Sequence, residues 1–241
     1  MIGSLAAVAL TACIPDPVAP GGDGARLLSR PGTPTIPGAA KGMQTIAILR
    51  SRVDIYVPQS VVAGVPAGLD VFLHNAGRRA DAFVSQHLAA ADASAVILVV
   101  PYSTGFTWDA IDGAFGPDPY TVDGALQWVF DRWDVAPARV GISGFADGAT
   151  YALGLARANG DLFPQVAAYT PGFVMPVAAV PPRPSVLISH GTGDPQFPVA
   201  ASGQVVADIL GQLGYVVDYR ELDIGHEIPQ AVVEEFVTSL G

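Results

Sequence analysis

Short runs of β-branched and apolar residues alternate with longer amphipathic stretches from about residue 45 to the C-terminus. Some runs, such as residues 96–100, are apolar throughout, which is typical of strands buried on both faces of a sheet. The pattern predicts strands at residues 45–49, 53–57, 69–74, 95–100, 139–143, 166–169, 185–190 and 216–222. It predicts helices at residues 80–91, 121–133, 147–158, 201–213 and 229–240.

The order of these elements predicts an α/β fold. The first two strands are expected to form an antiparallel hairpin at one edge of the sheet. The strand–helix alternation that follows predicts a mostly parallel, twisted sheet with right-handed crossovers and helices on both faces. A chain of 241 residues suffices for one such domain with a full core. Because ligands of open α/β sheets bind at the carboxyl ends of strands, the loops after the strands are where functional residues are expected.

The N-terminal part of the chain has a different pattern. Residues 1–13 form a short apolar run that ends in Leu10-Thr-Ala-Cys13, which resembles the lipobox of bacterial lipoproteins, although the basic segment of a signal peptide is missing. Residues 14–42 are rich in Pro and Gly and are predicted to form an unpacked tether. Residues 43–241 are predicted to form a single domain. The resemblance implies lipidation at Cys13 and an exported protein in the cell envelope or periplasm, or otherwise a secreted one. The alternative is an ordinary apolar N-terminus.

Composition narrows the possible partners. Half of the residues are hydrophobic and 14% are charged, which indicates a globular fold. The net charge of −10 argues against a nucleic-acid partner. A single cysteine excludes an intramolecular disulfide and a cysteine-rich metal site. No second histidine follows His226 at helical spacing, so neither a zinc motif nor any cofactor or metal is predicted.

One strand–helix junction carries a recognisable pattern. The segment Gly144-Phe-Ala-Asp-Gly148 has the form of the G-x-S-x-G nucleophile elbow, with Ala146 at the position of the serine. The glycines of such a turn permit a strained central residue and close backbone contacts, and the start of the next helix favours negative charge. The alternative is a tight connection without chemistry.

Two further loops contain polar residues directly after strands. Asp194 lies in Ser189-His-Gly-Thr-Gly-Asp-Pro-Gln-Phe-Pro198, and His226 lies in Gly225-His-Glu-Ile-Pro229. From about residue 52 onwards, these motifs and their order make the chain similar to bacterial α/β-hydrolase esterases of the phospholipase/carboxylesterase type, which are relatives of polyhydroxybutyrate-depolymerase-like esterases. The resemblance implies that Ala146 stands at the nucleophile position, that Asp194 orients a histidine, and that His226 is the general base. His190 is expected to pack behind the acid loop.

The same resemblance implies an oxyanion hole and a substrate pocket. The backbone N–H groups of Ala76 and Asp147 would bind the oxyanion, and Asn75 replaces a glycine of the family's H-G-x-G motif. Asn tolerates left-handed backbone angles, so the turn is expected to survive. The pocket candidates, for which filling the edge of the core is an equal alternative, are Phe106, Trp108, Phe173 and Met175.

The alanine leaves two interpretations of function open. The chain is either a carboxylic ester hydrolase scaffold with little or no activity, or a natural pseudoenzyme that binds a ligand or partner at the cell envelope. Whether Ala146 replaced a serine deliberately or in nature stays open. Ser143 is not expected to substitute for the nucleophile, because it lies three residues early, inside the strand. The expected ligand is a small-molecule or lipid-like ester.

Overall fold

The computed structural model of the protein describes residues 24–78 and 80–241, without the side chains of residues 81–83. The predicted signal segment, Cys13 and the first part of the predicted tether lie outside the described residues. In the part of the chain that is described, no helix is long and apolar enough to cross a membrane.

Eight strands form one sheet in the order β1-β2-β4-β3-β5-β6-β7-β8. Strand β1 pairs antiparallel with β2, and β2 pairs antiparallel with β4, whereas the remaining pairs are parallel. The strands are β1 (Gly42–Ile48), β2 (Ser51–Val57), β3 (Ala67–Leu73), β4 (Val96–Pro101), β5 (Val135–Phe145), β6 (Gln165–Tyr169), β7 (Ser185–Gly191) and β8 (Val217–Leu222). The predicted edge hairpin and mostly parallel sheet are confirmed.

Helices cover both faces of this sheet. They are α1 (Asp81–Ser94), α2 (Asp109–Asp112), α3 (Asp118–Phe130), α4 (Asp147–Ala158), α5 (Gly203–Gln212) and α6 (Gln230–Ser239). Helices α3, α4 and α5 bury their apolar side chains in one core cluster, which includes Leu126, Leu153 and Leu210. Helices α1 and α6 bury theirs in a second cluster on the opposite face, which includes Val84 and Phe236. The α/β prediction with helices on both faces is therefore correct.

Strand β5 begins earlier than its sequence pattern indicates. The apolar pattern predicts a start at residue 139, but the strand begins at Val135. Its first part is irregular, because the pairing with β3 shifts register between Ala67–Val135 and Leu69–Val140. Pro137 lies in this irregular part, where a residue without an N–H group is tolerated.

The prediction of an unpacked tether is wrong for residues 24–31, which we call the N-terminal arm. Ala25 and Leu27 in this arm have no exposed surface and belong to the core cluster of α3, α4 and α5. The side chain of Asn159 binds the backbone of both residues. Its Nδ2 donates to Ala25 O over 2.8 Å, and its Oδ1 accepts from Leu27 N over 2.8 Å. Packing and hydrogen bonds to distant residues therefore order a segment that its Pro/Gly-rich surroundings mark as irregular.

Candidate active site

Ala146 lies at the junction of β5 and α4 in an unusual backbone conformation. Its φ is 53° and its ψ is −113°, which few residues other than glycine adopt. The conformation is held from both sides, because Ala146 N donates to Tyr169 O over 3.0 Å and Thr150 N donates to Ala146 O over 3.1 Å. The chain thus makes the sharp strand-to-helix turn that the sequence pattern predicts.

The two glycines of the turn are required by close backbone contacts. A Cβ atom on Gly144 would lie 2.4 Å from the carbonyl oxygen of Gly148. A Cβ atom on Gly148 would lie 2.1 Å from the carbonyl oxygen of Leu73, at the end of β3. The start of α4 therefore packs directly against the end of β3, and the loop that follows β3 is brought to the turn.

Asp194 and His226 are in direct contact. Nδ1 of His226 lies 2.7 Å from Oδ2 of Asp194. The other carboxylate oxygen, Oδ1, accepts hydrogen bonds from Gln196 N over 2.8 Å and from Phe197 N over 2.9 Å. Burial by itself would raise the pKa of Asp194, but the bonds from Phe197 N–H, His226 and Gln196 N–H outweigh it and hold the pKa below its ordinary value. The carboxylate is therefore ionised at neutral pH and fixes the orientation of the imidazole.

The ring of His226 is packed between two aromatic side chains. It lies 4.7 Å from the ring of Phe145, the residue before Ala146, and 5.6 Å from the ring of Phe197. Only 9% of the His226 side chain is exposed. Because Nδ1 faces Asp194, it donates its proton there, and Nε2 on the other edge of the ring has no partner within the described residues.

His190 lies behind the acid loop, as expected. Its Nε2 donates to Phe197 O over 2.8 Å and lies 3.6 Å from Asp194 Oδ2, and its side chain is fully buried. His190 therefore supports the loop that carries Asp194 and has no exposed atom for a ligand.

The loop after β3 is fixed by His74. The side chain of His74 is buried, its Nδ1 donates to Asn75 O over 2.6 Å, and its Nε2 accepts from Ser103 N over 3.0 Å. Burial lowers the pKa of His74 to about 4, so the ring is neutral. Its ring stacks on Trp108 with the centroids 4.7 Å apart. His74 is thus a structural residue that holds the predicted oxyanion loop in place.

The two predicted oxyanion donors are the N–H groups of Ala76, in the loop after β3, and of Asp147, at the start of α4. These two segments lie next to each other, because the start of α4 packs against the end of β3. Within the described part of the chain, neither Ala76 N–H nor Asp147 N–H has an acceptor. The positive φ angles of the loop fall at Gly77 (82°) and Arg78 (59°), not at Asn75. The turn therefore forms with Asn75 in place of a glycine, and its left-handed conformation falls at Gly77. Oδ1 of Asn75 is buried, with no hydrogen-bond partner among the described residues.

The four predicted pocket residues divide into two groups. Phe106 and Phe173 are 75% and 43% exposed, so both are accessible at the surface, and their role in a pocket stays a prediction. Trp108 has no exposed surface, and its Nε1 donates to His74 O over 2.8 Å, so the prediction that it lines the pocket is wrong. Met175 is 4% exposed and packs against Gly154 of α4, so it belongs to the core as well.

A pair of carboxylates organises the segment after β4, a role that the sequence analysis missed. Asp109 accepts hydrogen bonds from Gly116 N, Asp118 N and the hydroxyl of Tyr151 over 2.8 to 2.9 Å. Asp118 accepts from Thr104 N and Asp109 N over 2.8 and 2.9 Å. In the sequence, this role could have been inferred from Asp109 and Asp118, which flank a short segment that contains Gly113 and Gly116.

Ser143 lies inside β5, as the sequence indicates, and has no exposed surface. Its hydroxyl donates to Asp70 Oδ2 over 2.8 Å. Burial raises the pKa of Asp70 to about 7, and the hydrogen bond from Ser143 lowers it only in part. Ser143 is thus part of a buried polar pair and is not available as a nucleophile.

A surface groove of roughly 200 Å³ lies at the opposite end of the sheet. It is lined by residues at the amino ends of β6, β7 and β8 and on α6, among them Arg220. The guanidinium of Arg220 is already bound to Asp218 and Glu235. The groove shares no residue with the site around Ala146. No group of three or more His, Cys, Asp or Glu side chains within the described residues could hold a metal ion.

Comparison with solved structures identifies the fold. The chain is similar to esterase PE8, with a TM-score of 0.62 and 19% identity over 83% of this chain and 98% of that one. It is similar to S-formylglutathione hydrolase from Staphylococcus aureus, with a TM-score of 0.66 and 11% identity over 83% and 98% of the two chains. It is also similar to a butyrate-bound esterase from Thermogutta terrifontis, with a TM-score of 0.63 and 13% identity over 83% and 95%.

No protein-family model matches the sequence. No curated protein sequence matches it either. The structural similarities and the strand order nevertheless show that this protein has the α/β-hydrolase fold.

Proposed function

We propose that this protein is a carboxylic ester hydrolase scaffold in which Ala146 occupies the nucleophile position. The observation that carries the proposal is the hydrogen bond of 2.7 Å between His226 and an ionised Asp194, beside a strained turn centred on Ala146. The order of the motifs along the chain supports the polyhydroxybutyrate-depolymerase-like type. The esterases among its structural neighbours support the same reaction class.

The retained groups would complete ester hydrolysis if residue 146 carried a hydroxyl. His226 Nε2 would take the serine proton as the hydroxyl oxygen attacks the ester carbonyl carbon, and Asp194 would stabilise the imidazolium. The N–H groups of Ala76 and Asp147 would bind the oxyanion. The alcohol would leave with the proton from His226, and water would then hydrolyse the acyl-enzyme. Because residue 146 carries only a methyl group, the protein as it stands has no nucleophile for these reaction steps.

The central test is Ala146→Ser. We expect the protein as it stands to hydrolyse p-nitrophenyl butyrate at a negligible rate, and the serine variant to be faster by about 10³-fold or more, because loss of a triad member costs several orders of magnitude. The measurement is kcat/KM for the two proteins. A fluorophosphonate probe should label only the serine variant, since labelling requires a nucleophilic hydroxyl.

The matched control is the double variant Ala146→Ser with Asp194→Asn, which keeps the hydroxyl and removes the carboxylate charge. Its rate should fall close to that of the parent chain. An Ala146→Ser variant that folds normally and shows neither hydrolysis nor labelling would refute the proposal. Recovery of activity only after Asn75→Gly is added would place the remaining defect in the oxyanion loop.

A second candidate function is ligand binding by a pseudoenzyme. Asn75 favours it, because this residue departs from the family motif and leaves its buried side-chain oxygen, Oδ1, without a partner among the described residues. Two departures at one site fit a pocket that no longer needs catalysis. The butyrate bound to the Thermogutta terrifontis esterase supports a short acyl group as the occupant.

We also propose that the protein is exported and lipidated at Cys13, on the resemblance of Leu10-Thr-Ala-Cys13 to a lipobox. Expressed in a bacterial host, the full chain should incorporate labelled palmitate and sediment with membranes. The Cys13→Ser variant should do neither, whereas Ser4→Ala upstream should have no effect. Equal palmitate incorporation by the chain and its Cys13→Ser variant would exclude lipidation at this residue.

A further inference from the structure

Arg157, in the last turn of α4, is the only Lys or Arg among the described residues that is buried, with 8% of its surface exposed. A guanidinium has five N–H donors. That of Arg157 forms one hydrogen bond within the described residues, from Nη1 to Met175 O over 2.6 Å. Its Nε is buried and has no acceptor among them. Since buried polar groups are normally satisfied, the remaining donors need acceptors from water or a ligand.

The charge of Arg157 is also unbalanced. No acidic side chain in the described part of the chain forms a salt bridge with it. Acids are nevertheless in excess, since the chain has 22 acidic and 12 basic residues, and the more exposed Arg26 and Arg30 both pair with Asp161. The C-terminal end of α4 favours a cation but supplies only roughly half an elementary charge. A buried cation without a counter-ion is costly, so an anion would be bound favourably here.

Arg183 brings a second guanidinium to the same place. The Cζ atoms of Arg157 and Arg183 lie 5.9 Å and 5.7 Å from the centre of the Tyr215 ring, so both cations contact one aromatic side chain. Arg183 is exposed and forms no salt bridge with a described acidic side chain either. Two like charges that share one ring repel each other unless an anion binds beside them.

The backbone holds the two arginines in this arrangement. Val180 N donates to Arg157 O over 2.8 Å. The carbonyl oxygen of Pro182 lies so close to Gly160 that a Cβ atom there has no room. The segment before β7 is therefore pinned to the end of α4, and it carries Arg183 to Arg157. The pair is set by the fold and not by two freely moving surface side chains.

We propose that Arg157 and Arg183 form a binding site for an oxyanion of the phosphate class. A guanidinium binds phosphate through two parallel N–H···O bonds, and such charge-assisted bonds are stronger than neutral ones. The tetrahedral oxygens of a phosphate can accept from two guanidinium groups that lie in different planes, whereas the two oxygens of a carboxylate share one plane. Inorganic phosphate and the headgroup of a phospholipid both offer this chemistry.

This site lies far from the turn at Ala146. Helix α4 starts directly after Ala146 and carries Arg157 in its last turn, which is roughly 16 Å away along the helix axis at 1.5 Å per residue. Arg183 and Tyr215 each precede a strand by two residues, so they lie at the amino ends of β7 and β8. The proposed phosphate site is therefore separate from the candidate active site and depends on no step of ester hydrolysis.

The experiment is isothermal titration of the full chain with sodium phosphate at neutral pH, in HEPES and sodium chloride of matched ionic strength. Because the net charge of −10 repels anions from the surface as a whole, binding of phosphate reports a local site. Arg183→Gln should weaken phosphate binding by roughly tenfold or more, the effect of losing charge-assisted hydrogen bonds.

Arg132→Gln is the matched control. Arg132 also lies over an aromatic ring, with Cζ 4.2 Å from the centre of the Trp128 ring, and it has no printed contact with a second arginine. Its removal takes away the same charge without touching the pair, so phosphate binding should stay within about twofold of the parent. Absence of phosphate binding by the parent, or an equal loss in the Arg132 and Arg183 variants, would overturn the proposal.

Arg157→Lys tests the buried partner, because lysine keeps the charge and loses the forked geometry. We expect it to weaken phosphate binding by roughly tenfold. Phosphate binding that is unchanged in a folded Arg157→Lys variant would contradict a role for the guanidinium. If this variant fails to fold, the exposed Arg183 still decides the question.

The source of the phosphate group is decided with lipid vesicles. The full chain carrying Cys13→Ser, which removes the proposed lipid attachment, is sedimented with vesicles of phosphatidylcholine with or without phosphatidylglycerol. Sedimentation that requires phosphatidylglycerol and is lost on adding Arg183→Gln identifies a lipid headgroup as the ligand. Titration with inorganic phosphate but no such sedimentation identifies free phosphate. Neither signal would refute the site.

Discussion

At the scale of single residues, the turn at Ala146 shows how much of a site is set by backbone contacts. Ala146 has a positive φ of 53°, and the residues on each side of it approach the neighbouring backbone too closely for any Cβ atom at Gly144 or Gly148. The sequence predicted this turn because the spacing of the glycines is specific. It could not predict that Gly77 rather than Asn75 has the positive φ in the loop after β3, because both residue types adopt such angles.

Gly148→Ala should destabilise the protein by about 3 kcal/mol, because the added Cβ would lie 2.1 Å from a backbone oxygen of β3 that cannot move without its strand. The measurement is the free energy of unfolding in urea. The control is Gly211→Ala in α5, where a Cβ atom meets nothing within 4 Å. That variant should be neutral or more stable by up to about 1 kcal/mol. Equal effects of the two substitutions would contradict the close contact.

At the scale of elements, periodicity predicted the helices and strands well and the N-terminal arm badly. Strands and helices repeat a local pattern, so they can be recognised from neighbouring residues alone. The arm has no such pattern. It is ordered by Asn159 and by Asp123, whose carboxylate accepts from Leu28 N and Ser29 N, each over 2.8 Å. These partners are 94 to 134 residues away in sequence, so composition alone could not indicate that the arm is ordered.

Leu27→Ala tests the packing of the arm. Leu27 is fully buried, and its truncation should lower the free energy of unfolding by about 2 to 4 kcal/mol. The neighbouring Leu28 is 44% exposed, and Leu28→Ala should cost less than about 1 kcal/mol. Urea unfolding of both variants provides the measurement. If the arm is an unpacked tether, the two substitutions will be equally mild.

At the scale of the whole molecule, the parallel sheet brings distant parts of the sequence to one edge. Ala146, Asp194 and His226 each follow a strand, so their position at one edge of the sheet could be expected once the strands were recognised. The burial of Trp108 and the exposure of Phe106 could not, because the two aromatics are two residues apart and differ only in long-range packing. Motif residues are thus easier to predict than the residues that surround them.

The buried Asp70 should make the stability of the whole protein depend on pH. Burial raises its pKa to about 7 in the folded chain, whereas an unfolded carboxyl titrates near pH ~4. The folded protein keeps a proton that the unfolded chain releases in this window. The contribution of Asp70 is therefore complete below about pH 4 and is lost as the pH rises through about 7.

Asp70→Asn removes this titration while it keeps an acceptor for Ser143. We expect the variant to be more stable than the parent at a pH of about 8, by an amount on the order of a few kcal/mol, and similar to it at a pH of about 4. Urea unfolding at both values is the measurement, and the exposed Asp112→Asn is the control. A difference between parent and variant that is the same at both pH values would exclude Asp70 as the titrating group.

The strained turn at residue 146 has a consequence for the gene as well as for the protein. Alanine codons (GCN) and serine codons (UCN) differ only at the first base. The turn at residue 146, with its φ of 53°, and the Asp194–His226 contact both form without a hydroxyl at this position. One transversion in that codon would therefore place a serine in a turn that is already formed. Growth selection on an ester as carbon source should therefore enrich Ala146→Ser before substitutions elsewhere in the gene.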